Sequence, residues 1–428
     1  MAYVLFSKAA ALISMRGGSL AQSSLTVMVW SGARLGTQLV WVLLLARALG
    51  ASSYGLFSGL AALALAMSGF VGLGLGLRMY QDAARDHGML SLRWRQASLL
   101  TAVTGVMLAG LYLLVARRIY STADGWLLLA IALSELVWAP WVTQIAYAYA
   151  ARGWMGFASA VPVILSLARV VAVLILYLFP GGSDIGTYAW LHGLFTAAAS
   201  WLLILDVRRR LAIESGGRGI QRGDIWSGLG FSAMQASTLA LSTLDKSFAL
   251  LWGGEALAGR YVAANRFVSV AALPVDALVM AALPRLFRAA DKPAAAVRAL
   301  SLLALGAGGY GMVMGTAVWL GSGLVPWLLG PSFAESAGAV RLLALYVPLY
   351  CLRILGTNAL LGLGWKSWRF YSEVLAVVAM GVGIAWRVPV AGLEGAVQVV
   401  LGAEAFLGAL VWGRLIYGMT RRMKGAHE

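Results

Sequence analysis

Apolar runs alternate with short polar or charged segments along the whole chain. Twelve of these runs approach 20 residues, the length a helix needs to cross a hydrocarbon core of about 30 Å. A helix satisfies its own backbone hydrogen bonds inside lipid. The predicted spans are 22–46, 54–77, 97–116, 126–148, 157–179, 185–206, 225–252, 260–284, 300–320, 338–362, 370–386 and 393–417. The pattern therefore predicts an all-α integral membrane protein with about twelve transmembrane helices.

Composition agrees with this pattern. The 428 residues are 61% hydrophobic and 12% charged, and the mean hydropathy is +0.82. A soluble domain has about half apolar and a quarter charged residues. Because no polar stretch is long enough to fold as a separate soluble domain, we expect a multi-pass membrane protein.

Lysine and arginine in the connecting segments predict the orientation. With the N-terminus in the cytoplasm, the inner segments hold 21 basic residues and the outer segments hold 5. Cytoplasmic loops carry such an excess, so we expect both termini to be cytoplasmic. The net charge of +16 is then a topology signal that also attracts anionic lipid head groups. It is not interpreted as a nucleic-acid footprint.

The longest connection, near the middle of the chain, divides the spans into two sets of six. An internal repeat supports this division: Gly50 and Gly254 are each followed five residues later by another glycine, Gly55 and Gly259, at an offset of 204 residues. We predict two six-helix lobes around a central cavity, related by an axis along the membrane normal. The predicted segments are an amphipathic lead-in 1–21, an N-terminal lobe 22–206, a basic cytoplasmic linker 207–224, a C-terminal lobe 225–417 and a cytoplasmic tail 418–428. No cleavable signal peptide is recognised, so the first span is expected to act as the targeting signal.

Charged residues inside the spans are the candidate functional residues. Each costs at least about 2.5 kcal/mol at mid-bilayer if it faces lipid, so such residues tend to face water or to pair. The candidate substrate-binding residues are Arg34, Arg169, Lys246, Arg266, Arg341 and Arg353, and the acids are Glu135, Asp245, Asp276, Glu373 and Glu404. Arginine binds phosphate in a bidentate manner, and a basic excess of one charge favours an anionic, phosphate-bearing substrate. The alternative is that these charges pair and only lock the packing.

Asp245 and Lys246 are adjacent within one apolar run. Neighbours on a helix point about 100° apart, so we expect that they do not face each other and that at least one reaches another helix or water. A structural pair between Asp245 and Arg266 is the alternative.

Other chemistries lack their motifs in this chain. The three histidines, His87, His192 and His427, are too scattered for a metal site, and His192 is interpreted as a packed or interfacial residue. No Walker-type phosphate loop is present. Cys351 is the single cysteine, so no internal disulfide can form. Its place in an apolar run is typical of a packing residue. We therefore expect no metal and no cofactor.

Four segments resemble a known superfamily. Residues 44–80 hold a Leu-Gly turn, a Tyr-Gly-x-Phe start of the second span and a Gly-Leu-Gly end before Arg78. Residues 244–267 are the counterpart in the second lobe, with an Asp in span seven followed by Gly-x-Tyr. Residues 283–288 hold the proline that ends span eight, and residues 325–345 hold an outer loop with the pattern Leu-Gly-x-x-Phe. The chain resembles the polysaccharide-transporter, or Wzx-like, branch of the multidrug/oligosaccharidyl-lipid/polysaccharide (MOP) flippase superfamily.

This resemblance implies a flippase that moves a polyprenyl-diphosphate-linked oligosaccharide from the cytoplasmic to the periplasmic leaflet by rocking between inward-open and outward-open states. In that picture Arg34, Lys246, Arg266 and Arg353 would meet diphosphate or acidic sugar. Asp245, Asp276 and Glu404 are the candidates for ion coupling. The implied partners are the lipid-linked oligosaccharide, membrane lipids and other polysaccharide-assembly membrane proteins, with no nucleic acid.

Two other classes stay open. A cation-coupled multidrug antiporter of the same superfamily also has twelve spans, but its pocket tends to be less basic. A membrane enzyme acting on lipid-linked glycans needs acids, arginine or histidine on a sizeable outer loop, and the predicted outer loops here are short and hold no paired acid. We therefore expect a transporter and not an enzyme.

Overall fold

The computed structural model describes residues 20–178, 184–213, 222–289 and 293–424, apart from some side chains near the segment ends and between 273 and 289. All regular structure in these residues is helical. The predicted lead-in 1–21, much of the predicted linker 207–224 and the end of the predicted tail lie outside the described residues.

The helices follow the predicted spans in order. They are α1 (Leu20–Ser68), α2 (Leu75–Arg85), α3 (Leu90–Ile119), α4 (Gly125–Ala132), α5 (Ala139–Ala151), α6 (Met155–Leu178), α7 (Ile185–Arg210), α8 (Arg222–Ala289), α9 (Pro293–Gly321), α10 (Leu324–Leu329), α11 (Ser336–Leu343), α12 (Tyr346–Gly362) and α13 (Lys366–Lys424). A π-helix, Leu133–Trp138, joins α4 to α5, and short 3₁₀ turns occur at Val71–Gly74, His87–Met89 and Pro331–Phe333.

Three of these helices are long enough to contain two spans each. Glycines with positive φ interrupt them: Gly50 (φ 69°) in α1, Gly254 (φ 76°) in α8 and Gly392 (φ 56°) in α13. L-residues with a side chain rarely adopt this left-handed region. Seven helices of the described residues are long and apolar enough to cross a membrane, or eight if α11 and α12, bent by 45°, form one broken span. Counting both sides of each glycine break, one helical segment corresponds to each of the twelve predicted spans.

The chain forms two compact units. Unit 1 contains the described residues of Met1–Leu49 and Leu60–Leu239, and unit 2 contains those of Gly50–Gly59 and Ala240–Glu428. The turn of α1 therefore belongs to unit 2, and the first part of α8 belongs to unit 1. The predicted lobe boundaries remain a prediction.

In unit 1 a charged network fixes the start of α8. Asp224 lies 3.0 Å from both Arg78 on α2 and Arg93 on α3, and Arg93 also lies 2.8 Å from Asp82. Gln96 donates a further hydrogen bond to Asp224, at 3.3 Å. One carboxylate thus holds three helices together at this end of the unit.

In unit 2 the two repeated glycine turns contact each other. A Cβ at Gly55 would overlap the backbone carbonyl of Glu255, and a Cβ at Gly259 would overlap that of Ala51. Each contact joins one glycine turn to the other, about one repeat length away in the sequence. The two turns therefore pack against each other through equivalent contacts. Ser52 also donates a hydrogen bond to Glu255, at 2.7 Å. Small residues of this kind let helix backbones approach closely, which explains the glycine repeat read from the sequence.

The core of unit 2 includes the packing of α9 against α12. Gly311 contacts Pro348, and Gly315 contacts the Ala344 carbonyl. Cys351 is fully buried, as predicted for a packing residue.

Candidate functional site

The charge cluster of unit 1 is centred on Glu135, which lies in the π-helix. Pro140, at the start of α5, has no N–H to donate to the carbonyl four residues earlier. The chain widens into π geometry here, and π-bulges frequently occur at functional sites. Glu135 is only 3% exposed.

One carboxylate oxygen of Glu135 binds two partners from neighbouring helices. The guanidinium of Arg169 on α6 donates to Oε1 at 2.7 Å, and Nε2 of His192 on α7 lies 2.8 Å from the same atom. Oε2 is buried without a hydrogen bond. Glu135 thus neutralises one of the predicted substrate-binding arginines.

A chain of hydrogen bonds continues beyond His192. Its Nδ1 lies 3.2 Å from the Tyr188 hydroxyl, which accepts a hydrogen bond from Trp41 Nε1 at 2.8 Å. A carboxylate can only accept, so Nε2 of His192 carries the proton that faces Glu135. In the neutral tautomer with this proton, Nδ1 accepts from the Tyr188 hydroxyl. A neutral imidazole therefore satisfies every contact in this chain.

Arg34 is the predicted substrate-binding residue of unit 1 that has no ion pair among the described residues. Its side chain is exposed on the first half of α1, in the same unit as Arg169. Among the described residues no carboxylate lies within 4 Å of Arg34. Arg169 retains a buried Nε without a hydrogen bond and stands 5.9 Å from the Trp41 ring. Arg34 and Arg169 contribute two positive charges and Glu135 one negative charge. With His192 neutral, the formal charge of the cluster is therefore +1.

In unit 2 Lys246 folds back onto its neighbour. Its Nζ donates to both carboxylate oxygens of Asp245, at 2.9 and 3.0 Å. The expectation that adjacent residues on a helix do not face each other was wrong, because the flexible lysine stem spans the 100° between them. Asp245 also reaches the next helical segment of α8, where Tyr261 donates to it at 2.6 Å. The alternative pair with Arg266 does not form.

A second group of unit 2 joins α8, α12 and α13. Arg353 donates to Glu404, and both side chains are buried. The Arg353 guanidinium lies 4.8 Å from the ring of Tyr350, whose hydroxyl donates to both oxygens of Asp276 at 3.0 and 3.2 Å. Tyr346 stacks on Tyr350 with 5.6 Å between ring centroids.

The two groups of unit 2 each contain an ion pair, Lys246 with Asp245 and Arg353 with Glu404. Together the two groups contain five of the predicted site residues. These are Asp245, Lys246, Asp276, Arg353 and Glu404. Their formal charges are three negative and two positive, and Arg266, on the same helical segment of α8 as Tyr261, brings the sum to zero.

Arg341 lies apart from these residues. It is exposed on α11 and donates to Ser322 at 2.9 Å. Glu373, the remaining acid, pairs with Arg369 one helical turn away at 2.9 Å. Both contacts fit a packing role.

Sequence reasoning missed the uncharged partners. Tyr188, His192, Tyr261 and Tyr350 complete the two clusters, and none was proposed as a site residue. A signal for the first cluster was present, because Glu135, Arg169 and His192 are polar residues in three consecutive spans. Within the described residues no group of three His, Cys, Asp or Glu side chains is placed to hold a metal ion.

No protein-family model and no curated protein matches the sequence. Solved structures do match the fold. An inward-facing multidrug resistance MATE family transporter of the MOP superfamily has a TM-score of 0.68 at 17% identity, covering 96% of this chain and 98% of its own. An outward-facing structure of such a transporter has a TM-score of 0.65 at 16% identity, with 94% and 97% covered.

A third neighbour comes from Pyrococcus furiosus and is described as a MOP superfamily transporter whose binding pocket of reverse polarity suggests a different function. Its TM-score is 0.60 at 15% identity, and 96% of this chain and 98% of its own are covered. The neighbours are transporters that match this chain along nearly its full length. The chain is a multi-pass membrane protein with the fold of MATE family transporters of the MOP superfamily.

Proposed function

We propose that this protein is a flippase for a polyprenyl-diphosphate-linked oligosaccharide. It moves the glycan from the cytoplasmic to the periplasmic leaflet of the cell inner membrane for the synthesis of a surface polysaccharide, which is O-antigen, capsule or exopolysaccharide. Transport proceeds by alternating access coupled to an ion gradient or to the membrane potential. The fold supports a transporter, and the charges of the site support the substrate class.

The observation that supports the proposal most strongly is that Arg34 has no neutralising carboxylate among the described residues. An arginine that faced lipid in the middle of a span would be costly, and this one has no described carboxylate within 4 Å. A permanent, unneutralised guanidinium favours an anionic ligand and repels a cationic one. A diphosphate is the part of the proposed substrate that fits this charge.

Arg169 acts with Arg34 in this proposal. Glu135 and the Trp41 ring hold the Arg169 guanidinium in place. Its free Nε leaves a donor for a phosphate oxygen. The two guanidinium groups then bind the diphosphate while the lipid tail stays in the bilayer.

The unit 2 cluster is proposed to couple transport to an ion. Its net charge is zero and its acids are held by tyrosine hydroxyls as well as by cations. Asp276 is the acid without an ion pair within 4 Å among the described residues. It is therefore the acid whose charge a coupling ion or proton most easily changes.

The alternative is a cation-coupled multidrug antiporter, favoured by the acids of unit 2 and by the multidrug transporters among the structural neighbours. For the Pyrococcus furiosus neighbour, reversed pocket polarity is taken to suggest a different function. The positive charge of Arg34 and Arg169 is the feature that argues here against a cationic drug. A membrane enzyme acting on lipid-linked glycans is the less favoured alternative.

Substitution of Arg34 tests the substrate class. A hydrogen bond to a charged group contributes about 1.5–3 kcal/mol, so Arg34→Gln is expected to slow transport by about tenfold to a hundredfold, and Arg34→Lys by less. Proteoliposomes containing the purified protein and extracted lipid-linked oligosaccharide report transport as glycan that becomes accessible to an impermeant glycosidase.

Arg118→Gln, which removes an exposed arginine at the end of α3, is the matched control and is expected to transport normally. Equal transport by Arg34→Gln and the control would overturn the role of Arg34. Faster extrusion of a cationic dye by Arg34→Gln than by the wild type would favour the antiporter instead.

A further inference from the structure

A pocket in unit 2, away from both charge clusters, lies between the two ends of α13. The helix turns back on itself at Gly392, so its first and last turns lie side by side. Trp368 on the first turn donates to the Leu410 carbonyl on the returning arm, at 3.2 Å. This contact brings an aromatic surface against the basic end of the helix.

The pocket has a volume of about 260 Å³ and is lined by two arginines, two aromatic residues and one glycine. These are Trp365, Arg414, Tyr417, Gly418 and Arg421. A Cβ at Gly418 would overlap the Trp365 ring, so glycine is what allows tryptophan to form this wall. The Arg414 guanidinium lies 4.7 Å from the centroid of Trp365 and 5.7 Å from that of Trp368.

The charge of the pocket is uncompensated. Among the described residues no carboxylate lies within 4 Å of Arg414 or Arg421. Arg414 Nε is buried and has no hydrogen-bond partner. A buried donor without a partner is costly, and two guanidinium groups beside one cavity are arranged to bind an anion.

The position along the helix indicates where that anion comes from. Arg414 follows Gly392 by about 22 residues, or about 33 Å at 1.5 Å per residue, which is the thickness of a hydrocarbon core. Tryptophan and tyrosine concentrate at the membrane–water interface. A hydrocarbon core that begins near Gly392 would thus end near Arg414, which places the pocket at the level of the lipid head groups.

We propose that this pocket binds the phosphate of an anionic phospholipid head group. Arg414 and Arg421 bind the phosphate oxygens, Trp365 and Tyr417 contact the glycerol and upper acyl region, and the lipid anchors this end of α13 at the interface. Basic pockets between transmembrane helices bind anionic head groups in this way.

Native mass spectrometry of the delipidated full-length protein tests the proposal, with phosphatidylglycerol or phosphatidylcholine added back. Wild-type protein is expected to retain phosphatidylglycerol at least tenfold more than phosphatidylcholine. Arg414→Gln and Arg421→Gln are expected to lose that preference, and Arg414→Lys to keep part of it. Arg298→Gln, which removes an exposed arginine of α9, is the control and should keep it fully.

Because Arg421 is exposed, Arg421→Gln tests the site even if Arg414→Gln fails to fold. Unchanged phosphatidylglycerol retention in Arg421→Gln would overturn the proposal. A second arm adds inorganic phosphate in excess, and the bound phospholipid is expected to remain. Displacement of the lipid by inorganic phosphate would identify a free-phosphate site and contradict a head-group site. Displacement of the bound phosphatidylglycerol by extracted lipid-linked oligosaccharide, but not by phosphate, would contradict a phospholipid site and identify a site for the transported lipid.

Discussion

Replacement of Glu135 by glutamine is expected to abolish transport and to destabilise unit 1. Glu135 is the described carboxylate that neutralises Arg169, with 2.7 Å between Nη2 and Oε1. Removing one partner of a buried ion pair costs roughly 3–5 kcal/mol, because the other charge stays buried. The measurement is the thermal midpoint of the purified protein in detergent, together with glycan transport in proteoliposomes.

The double variant Glu135→Gln/Arg169→Gln separates stability from function. Neutralising both partners removes the unpaired charge, so most of the lost stability is expected to return. Transport is expected to stay low because the second guanidinium proposed to bind the diphosphate is absent. Arg210→Gln, which breaks an ion pair with half-exposed partners in the same unit, should change stability by less than about 1 kcal/mol. Normal transport by a stable double variant would contradict the role given to Arg169.

Replacement of Asp276 by asparagine is expected to remove the response of transport to an imposed ion gradient while leaving the protein folded. Asparagine still accepts the hydrogen bond that Tyr350 donates to Asp276, and no ion pair is broken among the described residues. Glu404→Gln is instead expected to destabilise the protein, because it leaves Arg353 buried without its carboxylate. The loss in the free energy of unfolding is roughly 3–5 kcal/mol. Proteoliposomes with imposed proton or sodium gradients provide the measurement.

Glu335→Gln is the control for this pair of variants. It breaks an exposed contact with Arg260, and exposed pairs contribute less than about 1 kcal/mol. If Asp276→Asn responds to the gradients as the wild type does, Asp276 does not couple transport. If Glu404→Gln is as stable as the control, the pair with Arg353 is not a structural element of unit 2.

Much of the fold was predictable, because its determinants are local in the sequence. Span length and apolarity predict each helix without knowledge of its neighbours. The glycine repeat also carried structural information, since Gly50 and Gly254 have almost the same backbone angles, with φ of 69° and 76° and ψ of 177° and 178°. Their counterparts Gly55 and Gly259 then pack against each other's turns.

The partners of the charged residues were much less predictable. Depth along a span is readable from the sequence, but the face that a residue presents to other helices depends on packing. Glu135 lies on a π-helix, which shifts the register that a regular helix would give. Backbone geometry alone predicted that Asp245 and Lys246 do not face each other, whereas the four-carbon stem of Lys246 lets it turn back to Asp245. The tyrosines carry no formal charge, so a search for charged residues could not find them.

The proposed direction and substrate of transport are tested most directly by the sidedness of the lipid-linked oligosaccharide in cells. Inverted and right-side-out membrane vesicles from cells with and without the gene are treated with an impermeant glycan-cleaving enzyme, and the intact lipid-linked pool is quantified. The flippase account predicts that loss of the gene traps the glycan on the cytoplasmic face and that the wild-type gene, but not its Arg34→Gln variant, restores periplasmic exposure. An unchanged pool with unchanged sidedness would contradict it.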